Sequence, residues 1–262
     1  SSISIVYSDL NLFADKIIKK CKEVLPDSKI SIAVQVPSGD KIEADITNAE
    51  LIEQPISQKY DIIKSKDLFT IPPDNLSKED FNTFFDKSQH SWRAYASGLP
   101  WISDQSIKKD LFNSISRVVE NGADENCILY IVSEPGAGGT TIARALAFEA
   151  ANAGVPTLIA KSEVNEPNAT EVTSFLYRAL LSINNEYSRK NNNKVDAPIE
   201  IPWLIVFDRD QWDGQEQAIG PFWAEIKRSG RPVVILKVLG QSIPSEFFNI
   251  PKTKEICSLS HE

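Results

Sequence analysis

The chain has 262 residues, of which 42% are hydrophobic and 24% charged, and its net charge is −8 at neutral pH. That length and apolar content suffice for a sizeable core in one large domain or two small ones, and the acidic balance argues against broad contact with nucleic acid or an acidic membrane. No apolar run approaches the roughly 18–20 residues needed to cross a bilayer, and the N-terminus lacks a signal-peptide layout, so a soluble, cytoplasmic protein is expected.

Residues Ser1 to Thr70 read as a small α/β unit. A strand is predicted near Ile3–Tyr7 and a helix from about Leu10 to Leu25, on which Lys16, Lys19, Lys20 and Lys22 form a solvated face. Apolar alternation over Ile30–Val36 resumes in Lys41–Ile46 after the turn Ser38-Gly39-Asp40, which predicts a β-hairpin. This unit carries no catalytic signature.

The run Pro72-Pro73-Asp74-Asn75-Leu76-Ser77 then stops regular structure, and Ser77 is suited to cap the helix that follows. The expected domains are a small N-terminal unit and linker over 1–75 and a nucleotide-binding core over 76–262. The core opens with an aromatic lead-in, Glu79 to Ser103, containing Phe81, Phe84, Phe85, Trp92, Tyr95 and Trp101. A helix is predicted from about Gln105 to Glu120.

Cys127-Ile128-Leu129-Tyr130-Ile131-Val132 reads as a buried strand and leads into Ser133-Glu134-Pro135-Gly136-Ala137-Gly138-Gly139-Thr140-Thr141, which opens the helical pattern Thr140–Ala153. A phosphate-binding loop runs G-x-x-x-x-G-K-[ST], its glycines letting backbone N–H groups curl around phosphate oxygens at a helix N-terminus. Here Gly138 holds the last glycine position, Gly139 stands where the lysine belongs, and Ser133 where the first glycine belongs. Gly136, Ala137, Gly138, Gly139, Thr140 and Thr141 are the expected phosphate contacts, with the Thr140 hydroxyl on Mg²⁺. A glycine-rich turn without a ligand is the plain alternative, and the strand–loop–helix context disfavours it.

Downstream, strands and helices alternate: strand Pro156–Ala160, helix Ala169–Leu181, an exposed loop Glu186–Ala197, strand Leu204–Phe207, helix Gln215–Ser229 and strand Val233–Val238. Such a succession implies an α/β fold, a P-loop NTPase core whose mostly parallel sheet is flanked by helices, with ligands beyond the strand C-termini. The strand at Leu204 ends in Asp208, the Walker B pattern, and an aspartate there is expected to hold the metal with Thr140. Many hydrolysing relatives of this fold place a second carboxylate directly after the first, to orient the attacking water. Here Arg209 intervenes and Asp210 follows, so Asp208 and Asp210 are the candidate catalytic carboxylates and hydrolysis is less secure than binding.

The lost lysine leaves phosphate charge to be neutralised by another cation. Arg209 and Lys237 are the in-chain candidates; Lys237 falls where many P-loop ATPases put a polar γ-phosphate sensor, its plain alternative being a strand-end lysine reaching solvent. Cys21, Cys127 and Cys257 show no paired metal spacing and fit a reducing compartment. The five tryptophans mostly lie in apolar patterns and read as core rather than as stacking platforms for nucleic acid.

Glu134-Pro135-Gly136-Ala137-Gly138-Gly139-Thr140-Thr141-Ile142-Ala143-Arg144 and Leu204-Ile205-Val206-Phe207-Asp208 together resemble the STAND class of signal-transducing NTPases. The G-G-T-T form is similar to a variant branch found in bacterial anti-phage and animal antiviral defence proteins. Phe84-Phe85-Asp86, Trp92 and Gly98-Leu99-Pro100 are similar to the segment that precedes the NTPase in bacterial members. The resemblance covers about Phe81 to Val238 and implies a switch that binds ATP or ADP with Mg²⁺, flanked by effector and sensor domains and forming a homo-oligomer in the full-length protein. It also implies adenine as the base, with Trp101-Ile102 as a base-contacting segment. The absence of methionine, and an ending at Ile256–Leu259 where a fifth strand would fall, lead us to expect a piece of a longer chain. Two functions remain from this reading: a nucleotide switch with at most slow Mg²⁺-dependent ATPase activity, or a degenerate P-loop scaffold that acts through protein contacts alone.

Overall fold

The computed structural model of the chain describes residues 56–63, 76–85, 92–97, 105–191, 201–213, 218–240 and 250–260. The strand, helix and hairpin expected before residue 56, and Trp101-Ile102, lie outside them. Six strands form one sheet: β1 (Tyr60–Ile63), β2 (Cys127–Ser133), β3 (Thr157–Ala160), β4 (Trp203–Phe207), β5 (Val233–Leu239) and β6 (Thr253–Leu259), in the order β1-β3-β4-β5-β2-β6. All neighbours run parallel except β1, which pairs antiparallel with β3. The edge strand β1 therefore comes from chain upstream of the boundary expected at residue 75.

The helices are α1 (Lys78–Phe85), α2 (Arg93–Ala96), α3 (Gln105–Asn121), α4 (Gly139–Asn152), α5 (Ala169–Asn191) and α6 (Ile219–Arg228). Ser77 caps α1 as expected: its Oγ accepts the Asp80 N–H at 3.2 Å, and Asp80 Oδ2 accepts the Ser77 N–H at 2.8 Å. Asn168 Oδ1 does the same for α5, accepting from Thr170 and Glu171. The loop predicted from Glu186 is helix as far as Asn191. Once α5 is nucleated against the sheet, adding polar residues to its end costs little, so low intrinsic propensity does not stop it. Among the described residues no helix is long and apolar enough to cross a membrane.

The central strands are apolar at nearly every position because both faces are covered. On one face, Leu129 and Ile131 of β2 and Val234, Leu236 and Val238 of β5 pack under α3 and α4. On the other, Ile128, Tyr130, Val233, Ile235 and Leu239 pack under α5 and α6. The Cys127 thiol is pushed up to about 11 by burial, which leaves it an inert core group rather than a nucleophile. Trp203, Trp212 and Trp223 are buried, as their apolar surroundings in the sequence suggested.

The starts of β2 and β5 are joined by Asn126, which is buried; its Nδ2 donates to the Arg231 carbonyl and its Oδ1 accepts the Val233 N–H, both at 2.7 Å. Asn126→Ala strands both backbone groups and is expected to cost about 2–4 kcal/mol, read as a lower urea midpoint with unchanged m-value. An unchanged midpoint would show that solvent reaches this corner.

Candidate functional site

The parallel strands bring the ends of β2 and β4 to the same edge of the sheet. The loop after β2 makes one tight turn, Ala137 N–H to the Glu134 carbonyl at 3.1 Å, and Gly136 and Gly138 take φ of +85° and +96°. Those conformations are open to glycine and strained for other residues, and Gly138 ends the loop as the residue that caps α4. Glu134 N–H ties the loop to β6 through the Leu259 carbonyl at 3.0 Å.

Asp208 ends β4, which is not the neighbour of the loop strand, since β5 lies between β2 and β4. With strands spaced about 4.8 Å apart, the two ends stand about 10 Å from one another. Helix α4 closes that gap. It crosses the end of β5 and brings Thr140 to Asp208, whose Oδ1 accepts from the Thr140 hydroxyl at 2.7 Å.

The turn carrying Asp208 is held from several directions. Asp208 N–H donates to Gln211 Oε1 at 2.6 Å, Gln211 Nε2 donates to the Lys161 carbonyl at 3.1 Å, and Arg209 N–H donates to Asp208 Oδ1 at 2.8 Å. Trp212 takes φ of +60°, rare for a bulky residue, with its N–H on the Asn165 carbonyl at 2.7 Å and its ring against Phe207 and Phe222. Lys237 corrects the expectation of a phosphate sensor or a solvent-seeking side chain. It is 4% exposed on the α5/α6 face, the side away from Thr140, and its ammonium donates to the carbonyls of Asp208 and of Gln211, the latter at 2.9 Å. Lys237 therefore clamps the Asp208 turn from beneath.

A cleft opens beside the Thr140–Asp208 pair, lined by Thr140, Arg144, Ser162, Asp208 and Asp210 over Ile159 and Val206. Asp210 thus reaches the same cleft as Asp208 despite the intervening Arg209. Thr141 lies on the first turn of α4, whose leading amides have no acceptor within the helix. Two expected phosphate contacts are already engaged: Ala137 N–H in the loop turn, and Gly139 N–H on Ser133 Oγ at 3.2 Å. A hydroxyl and a carboxylate are hard oxygen donors of the kind Mg²⁺ takes together with phosphate and water. Among the described residues no group of three or more His, Cys, Asp or Glu could hold a metal by itself. The donor set fits an ion that arrives with a nucleotide.

Sequence reasoning missed Gln211, which is 1% exposed, and Arg144, a turn beyond Thr140 on α4. A glutamine three residues after a strand-end aspartate gives no signal that separates it from a surface turn. Arg144 was legible only as part of the loop motif. The aromatic lead-in docks on α4: Trp92 stacks on Phe148 at 6.3 Å and meets Tyr95 at 5.2 Å, and Phe84 meets Tyr95 at 5.4 Å. Burial pushes the Tyr95 phenol above its ordinary value; the adjacent Arg144 opposes the shift and Asp208 adds to it. The lead-in is therefore in electrostatic reach of the site.

Residues 115–262 match the family described as novel STAND NTPase 7. None of the curated proteins matches the chain. Among solved structures it is similar to PCH-2 of C. elegans, at 12% identity and a TM-score of 0.33 over 72% of this chain and 51% of that one. It is also similar to a chain of the E. coli MS115-1 HORMA:CdnC:Trip13 complex, at 13% identity and a TM-score of 0.31 over 60% of this chain and 56% of that one. The chain thus spans little more than half the length of these solved chains.

Proposed function

The chain belongs to the novel STAND NTPase 7 family, and from that premise we propose that it is the ATP- or ADP-binding switch of a longer STAND-like protein of anti-phage or antiviral defence. The observation that carries the reading is the 2.7 Å hydrogen bond from Thr140 to Asp208 across the end of β5. It supports the reading because it brings together the two proposed metal-holding residues from motifs far apart in sequence. Gly136, Gly138, Thr140 and Thr141 would face the phosphates, and Thr140 and Asp208 would hold Mg²⁺, which when bound neutralises phosphate charge. Asp210, on the cleft wall, would orient water for slow turnover. Exchange or binding would shift the chain between states that do and do not assemble, and the cytoplasm, a homo-oligomer and flanking effector and sensor domains complete the reading.

Thr140→Ala is the direct test, by calorimetric titration with ATP and ADP in the presence and absence of Mg²⁺. Wild-type chain is expected to bind in a Mg²⁺-dependent manner, Thr140→Ala to lose about tenfold or more together with that dependence, and Thr140→Ser to retain it. A folded wild-type chain that binds neither nucleotide would overturn the reading. That result would favour a scaffold without ligand, for which the internal pairing of the Ala137 and Gly139 N–H groups is the supporting observation.

A further inference from the structure

Gly139 occupies the lysine position of the loop, and the packing around it shows that this is more than a missing charge. A Cβ added there would lie 2.5 Å from Ser133 Cβ, 2.7 Å from Ser133 Oγ and 3.0 Å from Val238 Cγ1. Ser133 is itself 2% exposed, and its hydroxyl accepts the Gly139 N–H. It stands where the loop's first glycine would be. Against the loop pattern the side chain and the glycine are exchanged: Ser133 fills the room through which a lysine stem would leave α4.

Phosphate oxygens still need a counter-charge. Lys237 is committed to the carbonyls of Asp208 and Gln211, and Arg144, although it lines the cleft, is hydrogen-bonded to Tyr95. Arg209 differs from both. Its guanidinium lies over Gly240, with Nη2 3.5 Å, Nε 3.9 Å and Cζ 4.0 Å from the position that a Cβ on Gly240 would take. Gly240 directly follows β5, the strand between the loop strand and the Asp208 strand, so the guanidinium lies at the end of the strand that separates the two motifs. Among the described residues Arg209 makes no ion pair, although it is partly buried.

We propose that Arg209 binds the terminal phosphate in place of the P-loop lysine, and that the Ser133–Gly139 exchange is the packing change that accompanies this transfer of charge. The planar guanidinium offers a fork of donors matched to a phosphate, which suits it to work from a neighbouring turn instead of from within the loop. A glycine at 240 leaves the guanidinium room to lie flat over the strand end. This inference rests on the nucleotide-binding reading above.

The experiment is titration of the whole chain with ATP and with ADP, comparing wild type, Arg209→Gln, Arg209→Lys and the triple variant Ser133→Gly/Gly139→Lys/Arg209→Gln. Arg209→Gln is expected to weaken ATP about tenfold or more and ADP less, with Tm close to wild type, and Arg209→Lys to recover part of the loss. The triple variant, with a lysine in the usual place, is expected to regain ATP affinity. Arg209→Gln that binds ATP as wild type does would overturn the inference and leave the switch reading intact; a wild-type chain that binds no nucleotide would sink both. If the triple variant fails to fold, the ATP-against-ADP split between Arg209→Gln and Arg209→Lys decides alone.

Discussion

Gly139→Lys by itself is expected to destabilise the chain instead of restoring the loop. The new Cβ would meet Ser133 Cβ at 2.5 Å, and Ser133 is not the movable tip of a long side chain. Its Cβ is fixed by β2, which is paired on both sides, so relief requires the start of α4 to lift from the sheet. Lifting α4 would cost the Gly139–Ser133 hydrogen bond and draw Thr140 away from Asp208. Overpacking of this kind costs about 1–3 kcal/mol, and the lost hydrogen bonds bring the total to about 3 kcal/mol or more, a fall in Tm of about 6–12 °C by calorimetry. Gly139→Ala should show a smaller fall in the same direction, since the clash begins at Cβ. Combining Ser133→Gly with Gly139→Lys should recover most of the loss. A single Gly139→Lys variant as stable as wild type would show that α4 shifts freely, and that the two positions are not coupled.

The coupling explains which parts of this site could be read from the sequence. Backbone-driven features were legible: the glycines that permit positive φ at 136 and 138, the apolar strands at Cys127 and Leu204, and the aspartate that ends the second of them. Each follows from local chemistry, a period or a conformational need. Features set by strand order were not, because the sequence does not reveal that β5 inserts between β2 and β4. Lys237 was misread for another reason: it alternates in phase with Val233, Ile235 and Leu239, so its side chain leaves β5 on the face away from Thr140. Contacts between Ser133 and Gly139 were equally hidden, since a motif compares each position with its expected type and not with its neighbour in space. The edge strand β1 carried too short an apolar pattern to stand out from the segment around it.

Lys237→Met should lower both stability and Mg²⁺-dependent nucleotide binding, and the pattern distinguishes a clamp from a sensor. Methionine keeps most of the apolar stem within the core while removing the ammonium that serves the Asp208 and Gln211 carbonyls. Those acceptors are left without their donor beneath a turn that already holds Trp212 at φ of +60°. Two charge-assisted hydrogen bonds at about 1.5–3 kcal/mol each set an expected loss of about 3 kcal/mol or more, or about 6–12 °C in Tm. Release of the turn displaces Asp208 relative to Thr140, so at a temperature where the variant is still folded, Mg²⁺-dependent binding of ATP and ADP should weaken together. A γ-phosphate sensor would behave in the opposite way: Tm would hold, ADP binding would be unchanged and ATP alone would suffer. Arg209→Gln is expected to lie close to that second pattern, with Tm held and ATP weakened more than ADP. The pair of variants therefore assigns the two cations near Asp208 to different tasks, Lys237 to holding the carboxylate's turn in place and Arg209 to meeting the phosphate. If both variants gave the sensor pattern, the clamp would be an incidental contact and the burial of Lys237 would have no bearing on the site.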